Sequence, residues 1–324
     1  MIRVGLVGTG YAAQRRGEAF QAHPFTELVA VVGNSVEKTA NFCQTYGISS
    51  VASWQQLVND SSLDLICISN INRDHGTIVR GALLADKHVI VEYPLTINPD
   101  EAPELLNLAR ERNKLLHVEH IEILGGVHQT IKSHLYAIGE PFLARYSTIL
   151  PKSNLMNQWT FNYEYYGFPF IAALSRINRF TDLFGEVESV SCYGHFWDAP
   201  ETGYFSACYT QAQLSYKNGL LACLTYGKGE KFNSSDRTLE IYGTQGTLKF
   251  VGETGVIIQD GKESAIEVGT KRGLFVKDTE AVIEYLTRGK PLYIDIETSI
   301  YSLKVAQATL KAYQNQSIIN LSSI

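Results

Sequence analysis

The chain has 324 residues, 45% of them hydrophobic, with 28 Lys and Arg against 33 Asp and Glu for a net charge of -5. That length suits two domains, each with its own core, and a mildly acidic chain without a basic run is a poor partner for nucleic acid. No window reaches the ~18 uncharged apolar residues of a membrane helix; no signal segment is expected, and five cysteines without a C-x-x-C pair point to the reducing cytoplasm rather than to disulfides or zinc.

The first strand is expected in IRVGLVG, and Gly8-Thr9-Gly10-Tyr11-Ala12-Ala13 lies between it and a helix through Arg16 to Ala22. In such a turn Gly8 permits the tight bend, Gly10 lets a pyrophosphate approach the backbone, and Ala13 replaces a third glycine where helix meets strand. The alternative is an ordinary glycine turn. The second strand, ELVAVVG, ends in Gly33-Asn34-Ser35, where an NAD-selective site usually has an acid. Without it NADPH is expected and NADH is possible: Asn34 and Ser35 can donate hydrogen bonds, and Arg15, Arg16 or Lys38 can supply positive charge.

A helix over Val36 to Tyr46 and the strand LDLICIS lead to SNINRDHG, which places Ser69, Asn70, Asn72 and His75 at the carboxyl end of the sheet. They are expected to meet the ribose or nicotinamide side of the cofactor, although capping of the next helix explains Asn72 or Asp74 equally well. Next come a helix over Gly76 to Ala85, the strand HVIVEYP ending in Glu92-Tyr93-Pro94, a helix over Asp100 to Arg112, and LLHVEHI. Glu92 and Tyr93 complete the cofactor-facing set. Strands without polar alternation, separated by helices, indicate a parallel sheet covered on both faces. His117, Glu119, His120 and His128 suggest a metal, but on a strand over 115–121 His117 and Glu119 face one side and His120 the other. No metal site is expected.

From about residue 125 a helix (Gly126 to Leu135) leads into alternating runs such as FLARYSTIL, CYTQAQLSY and LLACLTYG, joined by Asn-Gly, Gln-Gly and Asp-Gly turns. Helices around Thr279 to Arg288 and Thr298 to Tyr313 follow. The expected architecture is an α/β Rossmann domain over 1–122, with a parallel doubly wound sheet, and an α+β domain over 123–324, with an open, mainly antiparallel sheet.

These pieces in this order resemble the glucose-fructose oxidoreductase and inositol dehydrogenase family over nearly the whole chain, ALLADKHVIVEYP and IYGTQGTLKF included. The resemblance implies a cofactor domain followed by an open sheet that carries the substrate. Members that oxidise sugar alcohols place a lysine between the Glu and Pro of that strand exit, and a histidine ahead of a helix ending like Leu-Phe-Gly. Here Tyr93 and, counting back from Gly185, Ser175 stand in those places, with Ile171 where an aspartate would be. Both groups that take a proton from a sugar hydroxyl are missing.

Glu-Tyr-Pro, GTGYAAQRR, residues 115–128 and GFPFIAALSRINRFTDLFG are similar to family members that reduce the linear tetrapyrrole biliverdin at its central methine carbon with NAD(P)H. On that resemblance Tyr93 forms an aromatic wall over the nicotinamide. Arg176, next to the lost histidine position, helps protonate a pyrrole directly or through a water. Arg145, Arg176, Arg179 and Lys228 are candidates for the two propionates, since arginine suits bidentate carboxylate binding. The alternatives are an inactive NADP-binding regulator and a sugar dehydrogenase with unrecognised groups.

Overall fold

The computed structural model describes residues 1–153, 155 and 158–323. In chain order the first elements are β1 (Ile2–Val7), α1 (Tyr11–Ala22), β2 (Thr26–Val32), α2 (Val36–Tyr46), β3 (Ser49–Ser50), α3 (Trp54–Val58), β4 (Leu65–Ile68), α4 (His75–Leu84), β5 (His88–Val91), α5 (Ala102–Glu111) and β6 (Leu116–Val118). Then come α6 (Ile121–Leu124), α7 (Gly126–His134), β7 (Pro141–Pro151), α8 (Tyr163–Tyr166), α9 (Pro169–Ala172) and α10 (Ser175–Phe184). Seven strands follow, β8 (Val187–Asp198), β9 (Phe205–Tyr216), β10 (Leu221–Gly229), β11 (Asp236–Gly243), β12 (Gly246–Val251), β13 (Thr254–Gln259) and β14 (Lys262–Ile266), before α11 (Leu274–Arg288), α12 (Ile296–Asn315) and β15 (Ile319–Asn320).

The chain forms two compact units, Met1–Ile121 with Gly273–Ile300, and Glu122–Arg272 with Tyr301–Ile324. The pattern predicted 123–324 as one domain; instead residues 273–300 return to the first unit. The reason is packing, because Val282 and Ile283 of α11 join Val4, Leu6, Phe20 and Leu65 in one apolar cluster.

The first unit's sheet has the order β3-β2-β1-β4-β5-β6 with every pair parallel. That order reverses direction between β1 and β4, the crevice where open α/β sheets bind ligands. The β4 run Leu-Ile-Cys-Ile is wholly buried, as expected for a strand covered on both faces. Helix α1 begins at Tyr11, well before Arg16, because Gly10 serves as its N-cap residue. Ser35 caps α2 by accepting from the Lys38 backbone N–H at 3.4 Å, and Gly47, at φ 66°, closes it.

The second unit's sheet runs β14-β13-β12-β11-β7-β10-β9-β8-β15. All its pairs are antiparallel except β7 with β10. Register places Tyr146 beside Leu224 and Leu239, while Arg145 stands beside Cys223 and Glu240 on the opposite face. Helix α10 buries Ile177 and Phe180 and is tied to α12 by a hydrogen bond from Asn178 to Ser302 at 3.0 Å and one between the Thr181 and Ser302 hydroxyls at 2.8 Å. Among the described residues, no helix is long and apolar enough to cross a membrane.

Candidate active site

The turn between β1 and α1 is shaped for close backbone approach. Gly8 has φ 114°, and a Cβ there would stand 2.3 Å from the Ser69 carbonyl oxygen, so no other residue fits. A Cβ on Gly10 would meet nothing within 4 Å among the described residues. Among the described residues helix α1 has no side-chain cap, the condition under which a helix N-terminus can take an anionic ligand. Ala13 is fully buried against the sheet.

A Cβ on Gly33 would collide with Thr39 Oγ1 at 2.4 Å and Thr9 Cγ2 at 2.7 Å, so that glycine sets the end of β2 beside the turn. Asn34 is exposed and Ser35 half-buried there. A surface pocket lined by Thr9, Gly10, Tyr11, Gln14 and Lys38, among others, lies along α1 and α2. Of the three expected cations, Lys38 lines that pocket, whereas Arg15 pairs with Glu18 at 2.6 Å and lies over the Tyr11 ring.

Arg16 stands apart from that set. It is 0% exposed, its Nε donates to Glu92 Oε1 at 3.0 Å, and its Nη1 donates to Asp278 and to Thr279. A guanidinium committed to those acceptors cannot also hold a phosphate at the surface. Asp278 in turn accepts from Tyr293 Oη at 2.6 Å and faces His117 Nε2 at 2.7 Å. Burial pushes the Asp278 carboxyl up, but Arg16 and His117 outweigh it and hold the group well below the ordinary carboxylate range. Burial raises the Glu92 carboxyl, with Arg16 opposing.

At the end of β4, Asn70 Oδ1 is buried without a hydrogen-bond partner among the described residues, an acceptor left for a ligand donor. The His75 ring is 1% exposed, with Nδ1 2.7 Å from the Pro94 carbonyl and Nε2 3.4 Å from the Asn70 carbonyl. Burial holds its pKa below the ordinary histidine value. It therefore ties the β4 and β5 exits together, and any effect on a ligand passes through them. Asn72 is buried in a single 3-10 turn with Asp74, whose side chain makes no capping bond to α4. Ser69 is buried beside Cys67.

Tyr93, followed by a cis bond to Pro94, stacks on His120, with centroids 5.8 Å apart and planes within 5°. The strand expected over 115–121 is limited to Leu116–Val118. His117 turns to Asp278, His120 Nε2 to Ser299 at 2.8 Å, and His128 Nε2 to Asp182 at 2.7 Å. Among the described residues no three metal-binding side chains gather as a cation would require.

In the second unit, α10 lays two arginines on the helix-covered face of the sheet. The Arg176 guanidinium lies 5.2 Å from the Tyr226 ring centre and donates from Nη1 to Ser175 Oγ at 2.9 Å. Arg179, one turn on, lies 5.6 Å from the Tyr146 ring centre. It is 7% exposed, and its Nε and Nη1 have no hydrogen-bond partner among the described residues.

Lys228 reaches the same face but not the surface: it donates to the Thr160 carbonyl and sits 3.2 Å from the Tyr166 ring centre. Burial brings its pKa down to about 7. Tyr166 and Tyr226 join hydroxyls at 2.9 Å. Arg145 lies over Tyr242 on the other face of the sheet, so the structure brings Arg176, Arg179 and Lys228 together and separates Arg145 from them. The tyrosines beneath the arginines, and Asp278 beneath Arg16, were not singled out by the sequence.

A family model described as an oxidoreductase family, NAD-binding Rossmann fold, matches residues 2–120. A second, the oxidoreductase family's C-terminal alpha/beta domain, matches residues 136–321. The crystal structure of biliverdin reductase from Synechocystis sp. PCC 6803, in complex with biliverdin and NADP+, is 52% identical with TM-score 0.95, covering 97% of this chain and 99% of that one. Biliverdin reductase A of Homo sapiens is 25% identical over 289 residues, 87% of this chain and 85% of its own. The Mus musculus protein is 26% identical over 234 residues, 72% of this chain and 70% of its own.

Proposed function

The chain belongs to the oxidoreductase family that joins an NAD-binding Rossmann fold to a C-terminal alpha/beta domain, and we propose that within it the chain reduces biliverdin to bilirubin with NADPH. The observation that carries this reading is the 52% identity, across 97% of the chain, with a protein crystallised with biliverdin and NADP+. The free thiols of all five cysteines fit a cytoplasmic setting.

The residues present fit the cofactor: Gly8 packs too close to the Ser69 carbonyl for any Cβ, the space over Gly10 is open among the described residues, and Asn70 Oδ1 is an orphaned buried acceptor. When bound, NADPH supplies the hydride. The turn from Gly8 to Ala13 would hold the pyrophosphate on the first N–H groups of α1, Asn34, Ser35 and Lys38 would receive the 2'-phosphate, and Asn70 would accept from the ribose or carboxamide. The Tyr93 ring, stacked on His120, would wall the nicotinamide side. Arg176 offers a permanent positive charge to electron density moving onto the pigment, and the unpartnered donors of Arg179 suit a propionate or another anion.

Purified protein mixed with NADPH and biliverdin should lose the long-wavelength biliverdin band and gain the yellow bilirubin band. NADPH binding with the pigment unchanged would overturn the reading in favour of a cofactor-binding regulator.

A further inference from the structure

The reduction delivers a hydride to carbon and a proton to nitrogen, and a guanidinium with its very high pKa is a poor source of that proton. The second unit holds a better one. Tyr146 lies on β7, half-buried, with the Arg179 guanidinium 5.6 Å from its ring centre and the Phe180 ring 6.0 Å away. Leu224 and Leu239 flank it on the neighbouring strands. Arg176 projects from the same helix one turn earlier, over Tyr226.

We propose that Tyr146 is the general acid of the reaction, donating its phenolic proton to a pyrrole nitrogen of the pigment while Arg179 and Arg176 stabilise the phenolate left behind. This rests on the reading of the chain as a biliverdin-reducing enzyme. The hydride's electron pair makes the new C–H bond at the central methine carbon, and the conjugated π electrons shift onto the pyrrole nitrogen as its C=N π bond breaks. That nitrogen takes the Tyr146 proton, the dihydronicotinamide leaves oxidised, and water reprotonates the phenolate.

Among the described residues, the charged groups that bear most on Tyr146 are Arg179 and Arg176 from α10 and Glu122 from α6. Burial pushes the phenol up, yet Arg179 and Arg176, the leading opposing influences, help carry the balance below the ordinary tyrosine value. The neighbouring phenols differ: burial raises both Tyr166 and Tyr226, and each is almost fully enclosed. Of these three phenols Tyr146 alone combines access with acidity.

The test is Tyr146→Phe, measured for kcat, biliverdin Kd and pH dependence. We expect kcat to fall ~100-fold with Kd little changed. The alkaline limb of the parent's pH profile, where Tyr146 loses its proton, should be absent. Nuclear magnetic resonance of carbon-labelled tyrosine should show one early ionisation that the variant lacks. A parent that reduces biliverdin beside a Tyr146→Phe variant with normal kcat and an unchanged alkaline limb overturns this assignment and leaves the overall reading standing. A parent that leaves biliverdin unreduced overturns both. Should Tyr146→Phe not fold, Arg179→Met decides: removing the cation should move the alkaline limb to higher pH, and an unmoved limb overturns the assignment.

Discussion

Arg16 illustrates how burial changes the meaning of a charge. From its place in GTGYAAQRR it is a candidate for a 2'-phosphate, yet its guanidinium is wholly enclosed with Glu92, Asp278 and Thr279 as acceptors. Removing one partner of a buried ion pair costs ~3–5 kcal/mol, because the other charge stays buried and uncompensated. In Arg16→Met, Asp278 keeps His117 and Tyr293 as neighbours, so the lower end, ~3 kcal/mol, is expected. Asp278→Asn in the same chain removes the stranded charge but keeps an acceptor for Tyr293, and a double-mutant cycle should return a coupling of ~2 kcal/mol. Urea unfolding measures the stabilities, and kcat/KM for NADPH and NADH measures selectivity. An Arg16→Met protein as stable as its parent, or one that loses NADPH preference while remaining folded, would refute the reasoning.

Ser35→Asp retains a capping oxygen for α2 but sets a carboxylate against the 2'-phosphate; repulsion of roughly 1–4 kcal/mol should cut NADPH use roughly tenfold or more relative to NADH, and an unchanged ratio counts against that placement. Arg176→Ala should lower kcat ~100-fold with biliverdin Kd changed less, and Arg176→Lys should recover only part; weakened binding with normal turnover at saturating pigment would make Arg176 a propionate anchor instead. Lys228 titrates at about 7 when folded against an ordinary 10.5, so the folded protein binds fewer protons between those values and gains stability as pH rises through that window. Lys228→Met should therefore be more stable than the parent below about pH 7, the advantage shrinking toward the ordinary lysine pKa; a gap independent of pH in urea unfolding would contradict it.

What could be read from the sequence was what local pattern determines. The parallel strands follow from uninterrupted Val, Ile and Leu runs, and the phosphate turn from glycines whose backbone requirements are local. Arg16 was misread because its partner Asp278 lies 262 residues away on a helix that returns to the first unit's core. SNINRDHG places His75 at the sheet edge where ligands bind, but that its nearest partner is the Pro94 carbonyl is set by the fold, which alone brings the two together. In FLARYSTIL, alternation correctly separates Arg145 from Tyr146. Which of the two faces is covered depends on where α10 lies, and the strand itself contains nothing that says so.

The two departures at the expected catalytic positions fit one chemical requirement. An alcohol needs a base to accept its proton before hydride can leave, whereas a conjugated imine accepts hydride and needs its new electron density stabilised and its nitrogen protonated. Tyr93 and Ser175 cannot serve as the first kind of base near neutral pH. Ile171, where the resemblance would place an aspartate, is buried in α9 with 1% of its surface exposed, so a carboxylate there would have to be desolvated. What stands on the same helix as Ser175 is a pair of permanent cations over aromatic rings. Permanent positive charge cannot take a proton from a substrate, but it can lower the energy of an anion formed next to it, whether on the pigment or on a phenol. The absent base and the paired arginines therefore suit a reaction whose new electron density must be stabilised rather than one that begins by withdrawing a proton.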